Sequence, residues 1–238
     1  MSQRECDCGP EVAQLEEEVA RLRATFDRIG ALADDPAYRA HAEALADEWR
    51  VWESAQLAHR DEERRAATGL DAALWLAVDE PRDETALVRA RAFLAAPADC
   101  TFLVLAGPKG RGKTYALAWA VKRRGGRYED AAALVSSSTF DADRWRDLAA
   151  APLLALDELG AEQTNSAFEA NLYALLDRRY RAQRKTILAT NLSAAAFRQR
   201  YCAAGLDRLI DRFNTAGAFV ELAAGPSLRT HWSETGGA

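Results

Sequence analysis

The chain has 238 residues, 49% of them hydrophobic and 28% charged, with a formal net charge of −5. That balance excludes a disordered or collagen-like chain, and the longest apolar run, the nine residues Leu148 to Leu156 with Pro152 inside, excludes a helical membrane span. The first residues, Met-Ser-Gln-Arg-Glu-Cys-Asp-Cys, hold no apolar signal region, so a cytoplasmic protein with no membrane partner is expected.

The total charge hides an asymmetry. Residues 1–96 carry 21 acidic and 12 basic side chains, a balance of −9; residues 97–238 carry 15 and 19, a balance of +4. A basic half suits polyphosphate or nucleic acid, which would repel the acidic half and leave it for a protein partner. Two ordinary solvated surfaces are the alternative. Cys6 and Cys8 form a C-x-C pair with no second pair at zinc spacing, and with Cys100 and Cys202 they make no disulfide framework. Free thiols on a frayed terminus are the simpler reading.

In chain order, Val12, Leu15, Val19, Leu22, Phe26 and Ile29 alternate spacings of three and four, which predicts a helix from Glu11 to Ile29 with a heptad seam. Gly30 and Asp34-Asp35-Pro36 break it. A second helix is predicted from Ala37 to about Ala67, with Tyr38, Ala42, Leu45, Trp49 and Trp52 on one face. The two should fold back as an antiparallel hairpin; a coiled-coil dimer is the competing arrangement. Thr68-Gly69 marks a boundary, and a further helical stretch runs from Asp83 to Ala96. The organisation expected is a helical partner-binding domain at 1–69, a linker and leading helix at 70–98, a nucleotide-binding domain at 99–230 and a disordered tail at 231–238.

From Thr101 onward, strand-like apolar runs alternate with helical stretches: Thr101–Ala106, Ala132–Ser136, Leu153–Leu156, Thr186–Thr190 and Phe219–Leu222. This predicts an α/β domain with a parallel central sheet. The first run leads into Gly107-Pro108-Lys109-Gly110-Arg111-Gly112-Lys113-Thr114, the full G-x-x-x-x-G-K-T phosphate-binding pattern, and Tyr115 to Arg124 follows as a helix. In that context backbone N–H groups wrap a β-phosphate and Lys113 reaches the β- and γ-oxygens. The Thr114 hydroxyl is then placed for Mg²⁺.

The run Leu153-Leu-Ala-Leu ends in Asp157-Glu158, about 40 residues after the loop. Nucleotide hydrolysis needs one carboxylate to hold the Mg²⁺ shell, which suits Asp157, and a second to orient water, which suits Glu158. Thr186-Ile-Leu-Ala-Thr ends in Asn191, which the carboxyl-end rule for open α/β sheets puts in the same crevice, as a γ-phosphate donor or as the start of a turn.

Phe168 to Tyr180, Lys185 to Leu192, Leu206 to Phe213 and Gly225 to Arg229 resemble the AAA+ ATPases of the DnaC/IstB type, bacterial helicase loaders and ATP-binding accessory proteins of transposition. The resemblance covers about residues 85–230 and implies a P-loop AAA+ fold without a C-terminal lid. It implies Gly107–Thr114 as Walker A, Asp157 and Glu158 as Walker B, Asn191 as sensor 1, and Arg212 as an arginine acting on the neighbouring subunit of a homo-oligomer. Arg208 is the alternative to Arg212, and Arg229 a phosphate sensor. The partners implied are a replicative helicase or a transposase, met through residues 1–69, and DNA, single- or double-stranded. Lys122–Arg127 and Arg178–Lys185 are candidate strand contacts, because phosphate neutralisation needs clustered cations. The sequence departs from the family at Lys109 and Arg111, which add positive charge to the loop, and in a short Ala132–Ala150 segment.

Overall fold

The computed structural model describes residues 17–25, 27–28, 30, 35–79, 84–138, 141–161, 166–203 and 207–225. The chain divides between Arg60 and Asp61 into two compact units.

In the first unit residues 17–25 form a helix (α1), and a second, α2, spans Pro36–Thr68 and continues past the division. Within the described residues helices form where the spacing predicts them, although Gly30, expected to break the first, is itself helical. Their apolar seams remain open, however: Val19 and Leu22 on α1 and Tyr38, Leu45, Trp49 and Trp52 on α2 are all exposed. Two narrow amphipathic stripes offer too little surface to make a core of their own. Val12, Leu15, Phe26, Ile29, Cys6 and Cys8 lie outside the described residues.

The second unit begins before the Gly69 that the sequence marks. After the end of α2, short helix α3 (Ala72–Ala77) is started by Asp71, whose carboxylate accepts the Leu74 N–H at 2.7 Å. Leu70, Trp75 and Val78 are buried with Ala86, Leu87, Ala90 and Phe93 of α4 (Thr85–Ala95) in the domain core. Much of the stretch expected to be linker is therefore packed structure.

Five parallel strands, β1 (Phe102–Ala106), β2 (Arg127–Asp130), β3 (Leu153–Asp157), β4 (Lys185–Thr190) and β5 (Gly217–Glu221), lie in the order β2-β3-β4-β1-β5. The inner strands β1, β3 and β4 are apolar runs because both their faces are covered. Leu103, Leu105, Leu153, Ala155, Ile187 and Ala189 pack with α3, α4 and α5 (Lys113–Arg124). Phe102, Val104, Leu154, Leu156 and Leu188 point the other way, against α7 (Ala142–Ala150), α8 (Ser166–Arg181), α9 (Ala194–Ala203) and α10 (Asp207–Thr215).

One predicted strand is corrected. Ala132–Ser136 lies within a helix, α6 (Ala131–Ser138), and the second strand is the preceding Arg-Tyr-Glu-Asp. This is an edge strand, bonded only to β3 and half-buried throughout, so it needs none of the apolar character that a central strand requires.

Arg179 ties α7, α8 and β4 together. Its guanidinium is fully buried and donates to the Leu148, Ala151 and Lys185 carbonyls at 2.6–2.8 Å and to the Thr186 hydroxyl at 2.8 Å. Burial, followed by repulsion from Arg184, pulls its pKa below the ordinary arginine value.

Candidate functional site

The sheet register brings the predicted residues to one end. Ala106 pairs with Thr190 and Leu156 with Leu188, so Gly107, Asn191 and the Asp157-Glu158 pair leave three adjacent strands at the same level. They surround a cavity of about 440 Å³ lined by Lys109 to Tyr115, Asp157, Glu158, Thr190 and Asn191, with Leu74, Ala77 and Glu84 along another wall.

The loop leaves β1 at Gly107 with φ +129°, so close to β5 that a Cβ there would stand 2.7 Å from the Leu222 carbonyl oxygen. Glycine alone fits. The loop then enters α5 at Gly112 (φ +74°), and Lys113 begins the helix. The buried Lys113 ammonium turns back into the loop, donating to the carbonyls of Gly107 (2.7 Å) and Pro108 (2.8 Å) and to Asn191 Oδ1 (3.0 Å). The ammonium and the β4 amide therefore meet directly.

Asp157 is buried at the tip of β3. Its Oδ1 accepts the Glu158 N–H at 2.8 Å and its Oδ2 accepts the Tyr128 hydroxyl at 2.9 Å. Burial, and next the Asp157 charge, raise the Tyr128 pKa above the usual phenol range and keep it a donor. Glu158 adopts a left-handed φ of +52°, unusual for a residue with a side chain. The turn is held by Leu159 N–H on Ala189 O (2.9 Å) and Ala161 N–H on Glu158 O (3.0 Å), which places Glu158 on the cavity wall.

The donor set fits a hard divalent cation. Among the described residues no cluster of three or more His, Cys, Asp or Glu side chains could hold a metal by itself. Instead, Thr114 and Asp157 line the cavity together, and a hydroxyl with a carboxylate is the oxygen chemistry that Mg²⁺ takes. Asp157 and Thr114 would hold it.

Tyr128 and Glu84 are the site residues that the sequence reading passed over. Tyr128 belongs to the unrecognised edge strand. Glu84 precedes α4, 28 positions before Gly112 in sequence, yet its Oε2 lies 1.8 Å from where a Gly112 Cβ would stand. No local pattern signals either approach. Leu74, Ala77 and Tyr115 add an apolar wall suited to a flat base.

The arginines divide differently. Arg212 pairs with the Asp177 carboxylate of its own chain and lies 4.7 Å from the Tyr180 ring centroid. Arg181 shares Asp177 at 2.9 Å. The Arg111 guanidinium lies near Gly225, where an added Cβ would come within 2.9 Å of its Nη1. The Arg208 side chain and Arg229 lie outside the described residues.

Of the two basic stretches, several members face inward. Lys122 donates to Trp75 O and Asp79, both at 2.8 Å, and Lys185 donates to the carbonyls of Phe93 and Ala96 at 3.0 Å. With Arg179 buried, the exposed cations of these stretches are Arg123, Arg124, Arg178 and Arg181.

Comparison with known proteins places this geometry. A family model described as IstB-like ATP binding protein matches residues 83–234. No curated protein sequence matches the chain. Among solved structures, DnaI is similar at 20% identity and TM-score 0.50, over 66% of this chain and 96% of that one. The DnaC helicase loader is similar at 19% identity and TM-score 0.48, over 64% and 100%. AMPPCP-bound DnaA from Aquifex aeolicus is similar at 20% identity and TM-score 0.48, over 64% and 51%. The likeness to DnaI is one of fold.

Proposed function

Because the chain belongs to the IstB-like ATP binding protein family, we propose that it is an AAA+ ATPase that binds ATP with Mg²⁺, hydrolyses it, and uses the nucleotide to govern assembly on a partner and on DNA. The observation that carries this reading is the meeting of Lys113, Asn191, Asp157 and Glu158 at one end of the sheet.

Each residue has a physical task. Lys113 exchanges the two loop carbonyls for β- and γ-phosphate oxygens, which repay an ammonium better than neutral acceptors do. Asn191, released from Lys113, is free to donate its amide N–H to the γ-phosphate. Thr114 and Asp157 would hold Mg²⁺, whose charge would offset that developing on the phosphates. Glu158 orients a water for in-line attack, and its fixed left-handed turn sets the direction of that water. Arg212 completes the site of a neighbouring copy once it exchanges Asp177 for phosphate, so hydrolysis awaits assembly.

The first reading of the biology is a helicase loader working in DNA replication, with residues 1–69 docking a replicative helicase and the ATPase domain meeting single-stranded DNA. The second, which the IstB-like description supports equally, is an ATP-dependent transposition regulator that coats DNA and recruits a transposase. A non-catalytic ATP-gated adaptor would leave Glu158 without a task.

Glu158→Gln tests the enzyme. ATP binding should persist while turnover falls by about 100-fold, the scale of losing a positioned acid–base group. Turnover equal to the native rate would remove Glu158 from catalysis, and no turnover in the native chain would leave the adaptor. The chain, with and without ATP, presented to a purified replicative helicase and to a purified transposase, should capture one and ignore the other.

A further inference from the structure

We propose that Tyr128 is a positioning residue for the metal site: its hydroxyl aims the Asp157 carboxylate from the edge strand of the sheet. The inference rests on the reading of Asp157 as the carboxylate of the Mg²⁺ shell.

Register explains how a residue on another strand arrives there. In the β2–β3 pairing Tyr128 stands beside Ala155 and Asp130 beside Asp157. Side chains alternate along a strand, so Tyr128, Ala155 and Asp157 share the face that packs on α5. Asp157 is therefore the diagonal neighbour of Tyr128, at a separation that a short hydroxyl such as serine could not bridge and a phenol does.

A carboxylate at the end of a strand turns freely about its terminal bond unless both oxygens are held. Here one oxygen takes the Glu158 N–H at 2.8 Å and the other takes the Tyr128 hydroxyl at 2.9 Å. Two donors fix the plane. Each oxygen keeps a lone pair for the cation or a water bound to it. The arrangement corresponds to the outer partners that orient metal-ligating groups elsewhere.

Tyr128 is itself held from two sides. β3 bonds its strand on one side, and on the other the turn that ends α2 packs against its carbonyl, with Gly69 (φ +80°) so close that a Cβ would stand 2.7 Å from the Tyr128 oxygen. The phenol is thus presented from a fixed backbone.

The test is Tyr128→Phe in the full chain, which keeps the ring and removes the donor. Binding of a fluorescent ATP analogue is titrated against Mg²⁺, beside its Mg²⁺-free affinity and the melting temperature, in wild type, Tyr128→Phe, Asp157→Asn and the double variant. Half-saturating Mg²⁺ should rise about tenfold in Tyr128→Phe, the lower end for loss of an outer partner, while Mg²⁺-free affinity is unchanged. In the Asp157→Asn background the same substitution should shift nothing. An unchanged Mg²⁺ titration, or an equal shift with and without Asp157, overturns the proposal and leaves Tyr128 a packing residue. A lowered melting temperature with the Mg²⁺ titration intact overturns it as well. Asp157→Asn matching wild type in Mg²⁺ dependence would instead remove the metal role of Asp157, and the inference with it.

Discussion

Tryptophan meets two fates in this molecule. Trp75, 2% exposed, donates its indole N–H to Asp61 at 2.7 Å and takes the Lys122 ammonium 4.5 Å above its ring. Trp49 and Trp52, 62% and 53% exposed, contact each other at 5.0 Å between centroids. Among the described residues, the region from Asp61 on buries most of its large apolar side chains, Leu76 and Val88 excepted, whereas the helices before it carry an apolar stripe that their own unit does not cover. Under the proposed function, the first of these would hold a small ligand in a fixed frame and the second would be a surface finished by a partner.

The strongest way to sharpen that contrast is Lys113→Ala. It removes the ammonium that three oxygens now hold, and with it the cation proposed to meet the phosphates. ATP affinity should fall by at least about 100-fold, near 2.7 kcal/mol, in an equilibrium titration. If the helices dock the partner independently, capture of that partner without nucleotide should be unaffected. Loss of both together would mean that the two regions do not act separately.

Arg179→Leu tests the frame itself. Three carbonyls and a hydroxyl lose a buried donor, and leaving such groups unpaired costs about 3 kcal/mol or more. A drop of roughly 6–12 °C in the melting transition is expected by calorimetry for a domain of this size. Helical content before Asp61 should be unaffected, since Arg179 serves only the second unit.

Gly112→Ala acts more locally. The added methyl would meet the Glu84 carboxylate, and the φ of +74° costs an alanine about 1–2 kcal/mol. ATP affinity should fall about tenfold. Adding Glu84→Ala should restore the steric part of that loss and leave the backbone part. Full recovery would show that the conformation of the loop is not what glycine serves there.

These residues also show where sequence reading succeeds. Gly107, Gly112, Lys113 and Thr114 are close in sequence because a phosphate cradle is a local object, and its spacing alone announces it. The strands bearing Asp157 and Asn191 were legible because burial on both faces makes an apolar run. The edge strand at Arg127–Asp130 was not, because one open side lets it be polar, and the apolar Ala132–Ser136 beside it drew the assignment. Glu84, Tyr128 and the Asp177 partner of Arg212 reach their contacts only through the completed fold, across 28, 29 and 35 positions respectively. Leu70, Trp75 and Val78 resembled a linker because a six-residue helix shows too little periodicity to reveal a buried face.

The smallest expected effect on the fold belongs to Trp49→Ala with Trp52→Ala. Neither side chain enters a core, so the melting temperature should move by no more than about 1–2 °C, as for surface substitutions within about 0.5 kcal/mol. ATP affinity and basal turnover should match the native chain. Partner capture, however, should fall by at least about tenfold, because exposed aromatic pairs on a helix supply the anchors that dominate helix-in-groove binding. The contrast breaks if these alanines destabilise the chain as a core substitution would, by 3 kcal/mol or more. The stripe would then already be covered within the protein, and docking would have to be sought on the ATPase domain.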